Sequence, residues 1–201
     1  VIERGMDGFG QISVLTNCAK PDCAIITNIG VSHIEILGSR DGILQAKLEI
    51  LEGLKKGSPV FLNGDDDKLA TKSYVNGKPA VFYGFGGKSS FLKEEGNEES
   101  LFTINKKIYA TDVENLGFDG MKSKIHTPEG EFDVHINIPG EHNVYNALAA
   151  TAVGLELGLG YPGKFLVDQF LRARRGFLVG QHPHGDGFGG VIRMMVGFLP
   201  D

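Results

Sequence analysis

The sequence lacks the features that are typical of secreted and membrane proteins. It contains no tryptophan and only two cysteines, Cys18 and Cys23, which are too few for the disulfide framework of a small secreted domain. No apolar run reaches the roughly 18 residues that a membrane helix requires, and no signal peptide is recognisable. We therefore expect a cytoplasmic protein that has no membrane partner.

A basic surface is also absent. The net charge is −5, and lysines are interleaved with acidic residues, so no positive stripe is available for a phosphate backbone. This pattern excludes nucleic acid as the main partner. Hydrophobic residues make up 41% of the 201 residues, which suffices for the core of one sizeable domain or two small ones.

Short β-prone runs alternate with helical patterns in the first half of the chain. The predicted strands cover residues 1–3, 24–29, 58–63 and 80–85, and the predicted helices cover residues 11–19 and 41–55. This alternation is typical of an α/β fold with a mainly parallel sheet flanked by helices. Turn signals then predict an antiparallel β subsheet within residues 88–138. A helix over residues 143–158 is apolar nearly all round and should be buried.

A lysine lies on the apolar face of the helix predicted over residues 41–55. At about 100° per residue, Lys47 falls in the same stripe as Ile43, Ile50 and Leu54. Two interpretations are open. The side chain either carries its ammonium to water along apolar neighbours or is directed into a functional site.

Polar residues follow the second predicted strand and begin the last predicted helix. In an open α/β sheet, ligands bind outside the carboxyl ends of the strands, where Asn28, Ser32 and His33 would lie. A buried amide without a partner costs about 1 to 3 kcal/mol, so Asn143 and Asn146 both need an explanation. For Asn143, the role of helix N-cap is an alternative to ligand binding.

Five motifs, taken in chain order, resemble the central, ATP-binding domain of the Mur ligases. They are Glu3-x-Gly5-x-x-Gly8-x-Gly10, Thr27-Asn28-Ile29-Gly30-x-Ser32-His33, Gly38-Ser39-x-x-Gly42-Ile43 with Ala46-Lys47, Leu62-Asn63-x-Asp65-Asp66, and Pro139-Gly140-x-His142-Asn143-x-x-Asn146. The resemblance covers residues 1–171. It implies a partial, P-loop-like central domain with a parallel α/β part (1–87), an antiparallel part (88–138) and a helical part (139–171).

The resemblance implies an ATP-dependent ligase of peptidoglycan synthesis that works through an acyl phosphate and uses Mg²⁺. The motifs are most similar to those of the branch that adds D-Ala-D-Ala to UDP-N-acetylmuramoyl-tripeptide. Carried over by motif, Glu3 and His33 would be magnesium ligands. Lys47 would be carbamylated and help to hold the metal, so that Lys47 and His33 serve the reaction.

The resemblance also assigns the polar residues of two loops. Asn143 and Asn146, with His142 beside them, would contact the adenine. Asn28 and Ser32 would line the acyl-phosphate side.

The chain departs from the family pattern in two places. A complete phosphate-loop sequence, G-x-x-x-x-G-K-[ST], does not occur, and we expect that loop upstream of Val1 and the isolated chain to be inactive. The pattern and any clear periodicity are lost after residue 171, so residues 172–201 are interpreted as an atypical tail, non-native or disordered. Two alternatives stay open: a nucleotide- or metal-binding module or inert fragment without turnover, and another ligase of the superfamily, such as folylpolyglutamate synthase.

Overall fold

A mixed eight-stranded sheet organises the protein in the computed structural model, which describes residues 2–4, 6–32, 34–86, 108–156, 158 and 194–197. The strands of this sheet are β1 (Ile2–Arg4), β2 (Cys23–Ile26), β3 (Val60–Asn63), β6 (Val81–Phe85), β7 (Ile108–Asn115), β8 (Met121–Thr127), β9 (Gly130–Ile136) and β10 (Met194–Gly197). They lie in the order β1-β10-β2-β3-β6-β7-β8-β9. A separate antiparallel hairpin joins β4 (Tyr74–Val75) to β5 (Lys78–Pro79).

In this spatial order, neighbouring strands are parallel from β1 through β10, β2, β3 and β6 to β7. They are antiparallel from β7 through β8 to β9. The predicted fold class, a mainly parallel sheet with an antiparallel subsheet, is therefore confirmed. All residues of β2, β3 and β6 are buried, because helices and loops cover both faces of the parallel part.

The described helices are α1 (Gln11–Ala19), α2 (Ile34–Leu37), α3 (Arg40–Leu48) and α4 (Glu141–Glu156). Helix α3 begins after Ser39, whose Oγ accepts a hydrogen bond from the backbone N of Gly42 at 3.1 Å. The single helix predicted over residues 41–55 is wrong, since α3 ends at Leu48 and a 3-10 turn covers Glu49–Gly53. The Oγ1 of Thr16 donates a hydrogen bond to the carbonyl of Ile50 at 2.8 Å, which draws this turn against α1.

Two hydrophobic clusters lie on opposite faces of the sheet. Helix α4 packs with Phe61, Tyr83 and Ile108 on one face. Ile43 of α3 and Ile50 pack with Leu62 on the other. Most side chains of α4 from Asn143 onward are buried, as its apolar sequence predicts.

Three features of the strands were not predicted from the local sequence pattern. Strand β2 ends at Ile26 instead of residue 29, so Thr27 and Asn28 belong to the loop that follows. The hairpin β4–β5 was not predicted. Strand β10 lies between β1 and β2 and pairs with both, so these four residues of the predicted tail form a strand instead of a disordered segment. The other residues of the tail lie outside the described residues, and its non-native origin stays a prediction.

The contact between the 3-10 turn and α1 generates a stability prediction. A Cβ at Gly53 would lie 2.1 Å from the backbone oxygen of Thr16, so Gly53→Ala should force the two elements apart. We expect a loss of roughly 1 to 3 kcal/mol in the free energy of unfolding, measured by urea denaturation. Gly8→Ala is the control, because its Cβ would meet no atom closer than 3.9 Å. Equal stability of the two variants would contradict this account.

Candidate functional site

The loops after β2 and β3 meet around a buried lysine. Lys47 of α3 is 1% exposed. Its Nζ donates hydrogen bonds to the backbone oxygen of Asn28 and, at 3.1 Å, to the Asn28 Oδ1. The alternative in which this ammonium reaches water is therefore wrong. Burial lowers the pKa of Lys47 from 10.5 to about 8, while the nearby carboxylate of Asp66 acts in the opposite direction.

One peptide group connects that lysine to an acid. The carbonyl of the peptide between Asn28 and Ile29 accepts from Lys47, and the N–H of the same peptide donates to Asp66 Oδ2 at 2.6 Å. A cation and an anion thus polarise one amide from its two ends, which strengthens both hydrogen bonds. Asp66 is itself fixed, since its Oδ1 accepts from the backbone N–H groups of Lys68 and Leu69, each at 3.0 Å.

An arginine holds the next carbonyl. The Nε and Nη2 of Arg40 donate to the backbone oxygen of Ile29 at 3.1 and 3.0 Å. The same guanidinium forms a bidentate pair with Asp67, in which the Nη1–Oδ2 distance is 2.9 Å. Arg40 lowers the pKa of the Asp67 carboxyl through this hydrogen bonding. The Asp66 Oδ2 lies 4.0 Å from Arg40 Nη2, so opposite charges alternate along the cluster.

The first acid of the same turn reaches the last helix. Asp65 Oδ2 accepts from the backbone N of Phe85 at 2.7 Å and from the hydroxyl of Tyr145 at 2.9 Å. The rings of Phe85 and Tyr145 stack, with centroids 4.2 Å apart and planes inclined by 12°. The start of α4 is thereby tied to the carboxyl ends of β3 and β6.

Two asparagines near the start of α4 are buried in different ways. Asn143 is 0% exposed and its Nδ2 donates to the backbone oxygen of Pro139 at 2.8 Å. Because α4 begins at Glu141, Asn143 is not the N-cap. Asn146 is only 5% exposed, and no hydrogen bond joins its side chain to another described residue. An amide in this state calls for a ligand or water.

The structure brings together some of the predicted site residues. Asn28 and Lys47 are in direct contact, and Ser32 lies further along the same loop. The side chain of Glu3 and the whole of His33 lie outside what the structure describes. No group of three or more His, Cys, Asp or Glu side chains in the described part could hold a metal ion, so the metal ligands stay a prediction.

Sequence reasoning missed the residues that fix these loops. Arg40, Asp66 and Tyr145 were not proposed as site residues. Asp65 and Asp66 accept from backbone N–H groups of other loops and strands, and Asp67 accepts from Arg40. Three consecutive carboxylates after a buried strand were the available signal, but their partners outside this turn lie 20 to 80 residues away in the chain.

The model of one protein family, "Mur ligase middle domain", matches residues 1–154. The chain belongs to this family. The UDP-N-acetylmuramoyl-tripeptide--D-alanyl-D-alanine ligase of Bacillus subtilis (strain 168) is 36% identical to this Mur ligase middle domain over 162 residues. That match covers 79% of this chain and 30% of the relative. The chain thus spans about a third of the length of the curated relatives it matches.

Solved structures show the same fold. MurF from Acinetobacter baumannii superposes with a TM-score of 0.64 at 26% identity, covering 90% of this chain and 36% of that one. The MurF ligase of Thermotoga maritima in complex with ADP has a TM-score of 0.57 at 22% identity, covering 76% and 31% of the two chains, and shares the fold. The Mur ligase central-domain fold expected from the motifs is confirmed. Within the described residues, no helix is both long enough and apolar enough to cross a membrane.

Buried Lys47 generates a prediction on pH. Its folded-state pKa of about 8 lies below its ordinary 10.5, so between these pH values the unfolded chain binds more protons than the folded one. Stability from this group should therefore rise as pH increases across that window, by on the order of 3 kcal/mol. We expect the free energy of unfolding of the unsubstituted chain to rise by this amount relative to Lys47→Met in urea titrations at successive pH values.

Lys68→Met is the control for this prediction. Lys68 is partly exposed and pairs with Asp41 at 2.7 Å, so its replacement removes a lysine while the buried ammonium of Lys47 stays in place. A difference between the unsubstituted chain and Lys47→Met that stays constant from pH 7 to 10.5 would show that the ammonium is not destabilised by burial.

Proposed function

We propose that this chain is the middle-domain part of an ATP-dependent carbon–nitrogen ligase that adds D-Ala-D-Ala to UDP-N-acetylmuramoyl-tripeptide in peptidoglycan synthesis. The observation that carries the proposal is the 36% identity to a curated ligase of that name over most of this chain. This chain spans only 30% of that relative, so we propose the whole reaction for a longer protein of which this chain is a part. We place that protein in the cytoplasm, where ATP is supplied.

The reaction has two steps. The terminal phosphoryl group of ATP is transferred to the tripeptide carboxylate, which gives an acyl phosphate and ADP. The amine of D-Ala-D-Ala then attacks the acyl carbon, the C–N bond forms, and inorganic phosphate and a proton leave. Mg²⁺, when bound, neutralises the phosphate oxygens and orients the groups that react. The chain's own residues have to bind, orient and desolvate these anions.

The chemical form of the Lys47 side chain, whether ammonium, amine or carbamate, decides whether it can bind a metal ion. As an ammonium donating to Asn28 it repels a cation. Burial lowers its pKa to about 8, so a fraction of the side chain is the neutral amine near neutral pH. That amine can attack CO₂, forming a carbamate and releasing a proton. Glu3, His33 and the carbamate of Lys47 would then hold Mg²⁺, with Asn28 and Ser32 on the acyl-phosphate side.

The start of α4 would take the adenine base. Asn146 supports this role, because its buried side chain has no hydrogen-bond partner among the described residues. An adenine ring presents both a donor and an acceptor edge, which one amide can satisfy. Asn143 and His142 would complete this contact. The Tyr145 hydroxyl donates to Asp65 and so ties the first turns of α4, which carry these residues, to the turn after β3.

A second candidate, a nucleotide- or metal-binding module without turnover, is favoured for the isolated chain by one observation. The complete phosphate-loop sequence is absent from these 201 residues. We expect the 201-residue chain to release no phosphate from ATP in the presence of both substrates, and the protein translated from the complete gene to release it only when D-Ala-D-Ala is present. Release that requires a different amino acid, or no release from the complete protein, would overturn the proposed substrate or the proposed activity.

The nucleotide contact is tested by Asn146→Ala in the complete protein. We expect the KM for ATP to rise roughly 10-fold, about 1.4 kcal/mol of lost binding, with a smaller change in the KM for D-Ala-D-Ala. Asn17→Ala is the matched control, since Asn17 is an exposed residue of α1 whose hydrogen bonds stay within its own helix and cap. An equal change in both KM values would argue against a base contact at Asn146.

A further inference from the structure

We propose that Arg40 is a positioning residue that fixes the backbone at Ile29 and so places Asn28 on Lys47. The name Ile29 clamp is used here for Arg40, Asp66 and Asp67 around the backbone of Ile29. The value of the clamp for a reaction rests on the proposed function, whereas its geometry does not.

The clamp holds both polar groups of one residue. The N–H of Ile29 donates to Asp66 at 2.6 Å, and the carbonyl of Ile29 accepts from Arg40 at 3.1 and 3.0 Å. The side chain of Ile29 is 1% exposed and packs in the hydrophobic cluster on the α3 face of the sheet. Rotation of either adjoining peptide would therefore break a charge-assisted hydrogen bond.

The position of Asn28 follows from that of Ile29. The Asn28 carbonyl belongs to the peptide whose N–H binds Asp66, so holding this N–H also orients the oxygen that accepts from Lys47. The clamp therefore fixes the loop at Ile29 through both polar backbone groups of that residue.

Arginine is the side chain that this place requires. Arg40 is the first residue of α3, and its guanidinium reaches a carbonyl of the β2 loop and a carboxylate of the β3 loop together. A planar fork with several N–H donors can do so, whereas a lysine has a single compact ammonium. Arg40→Lys should keep the positive charge near Asp66 and Asp67 but lose most of the hydrogen bonds.

The chain offers a matched control for charge alone. Lys68 and Asp41 form an ion pair at 2.7 Å that also links the start of α3 to the turn after β3. This pair does not touch the Ile29 backbone. Lys68→Ala therefore removes one cation that joins the same two elements and leaves the clamp intact.

Amide hydrogen exchange in the 201-residue chain tests the clamp directly. We expect Arg40→Ala to speed exchange at the Ile29 amide at least 10-fold, Arg40→Lys to give an intermediate increase, and Lys68→Ala to leave it unchanged. Exchange at Ile25 and Ile26 within β2 should stay the same in all variants. Asp67→Asn, altered at an exposed carboxylate, should give a smaller increase and serves if Arg40→Ala does not fold. Unchanged exchange at Ile29, or an equal increase at Ile25 and Ile26, would overturn the proposal.

Kinetics of the complete protein test the consequence. We expect Arg40→Ala to lower kcat about 10-fold while the KM for ATP changes less than 2-fold, because the proposed nucleotide contacts lie on α4. Lys68→Ala should change neither. Faster exchange at Ile29 with an unchanged kcat would overturn the positioning role. An unsubstituted protein without ligase activity would instead overturn the proposed function, and the exchange experiment would still decide whether the clamp exists.

Discussion

The structure around the site depends on one peptide group, the amide between Asn28 and Ile29, held between the ammonium of Lys47 and the carboxylate of Asp66. A buried ammonium costs several kcal/mol in desolvation unless hydrogen bonds and an opposite charge compensate it. Here the acceptors are the two oxygens of Asn28, and the opposite charge acts through the amide itself. The loops after β2 and β3 must therefore keep one relative arrangement.

Three adjacent acids extend this constraint to the surrounding elements. Asp65 binds the end of β6 and the Tyr145 hydroxyl of α4, and Asp66 binds the β2 loop. Asp67 binds Arg40 at the start of α3. Parallel strands make this possible, because their carboxyl ends lie at one edge of the sheet. The adenine contacts proposed on α4 and the proposed acyl-phosphate side at Asn28 are thus connected through a single turn of the chain.

Features that depend on the local pattern of residues could be predicted from the sequence. The mainly parallel sheet, helix α1 and the apolar face that carries Lys47 all follow from the spacing of apolar residues. The partners of Asp66 and Arg40 could not be predicted, because each joins residues that are distant in the chain and share no periodicity. The same reason explains the early end of α3, which depends on contacts of Ile50 and Gly53 with Thr16. Strand β10 was missed because its pairing with β1 and β2 is long-range.

The charges also determine what a carbamylated Lys47 would need. The present arrangement is balanced for an ammonium, since Asn28 presents only oxygen atoms to Nζ and Asp66 is the nearby anion. Conversion of this cation to a carbamate would put a second anion beside Asp66 and leave the Asn28 oxygens without a donor. Both effects are unfavourable unless a cation enters between these groups. In the proposed enzyme, carbamylation and Mg²⁺ binding should therefore occur together.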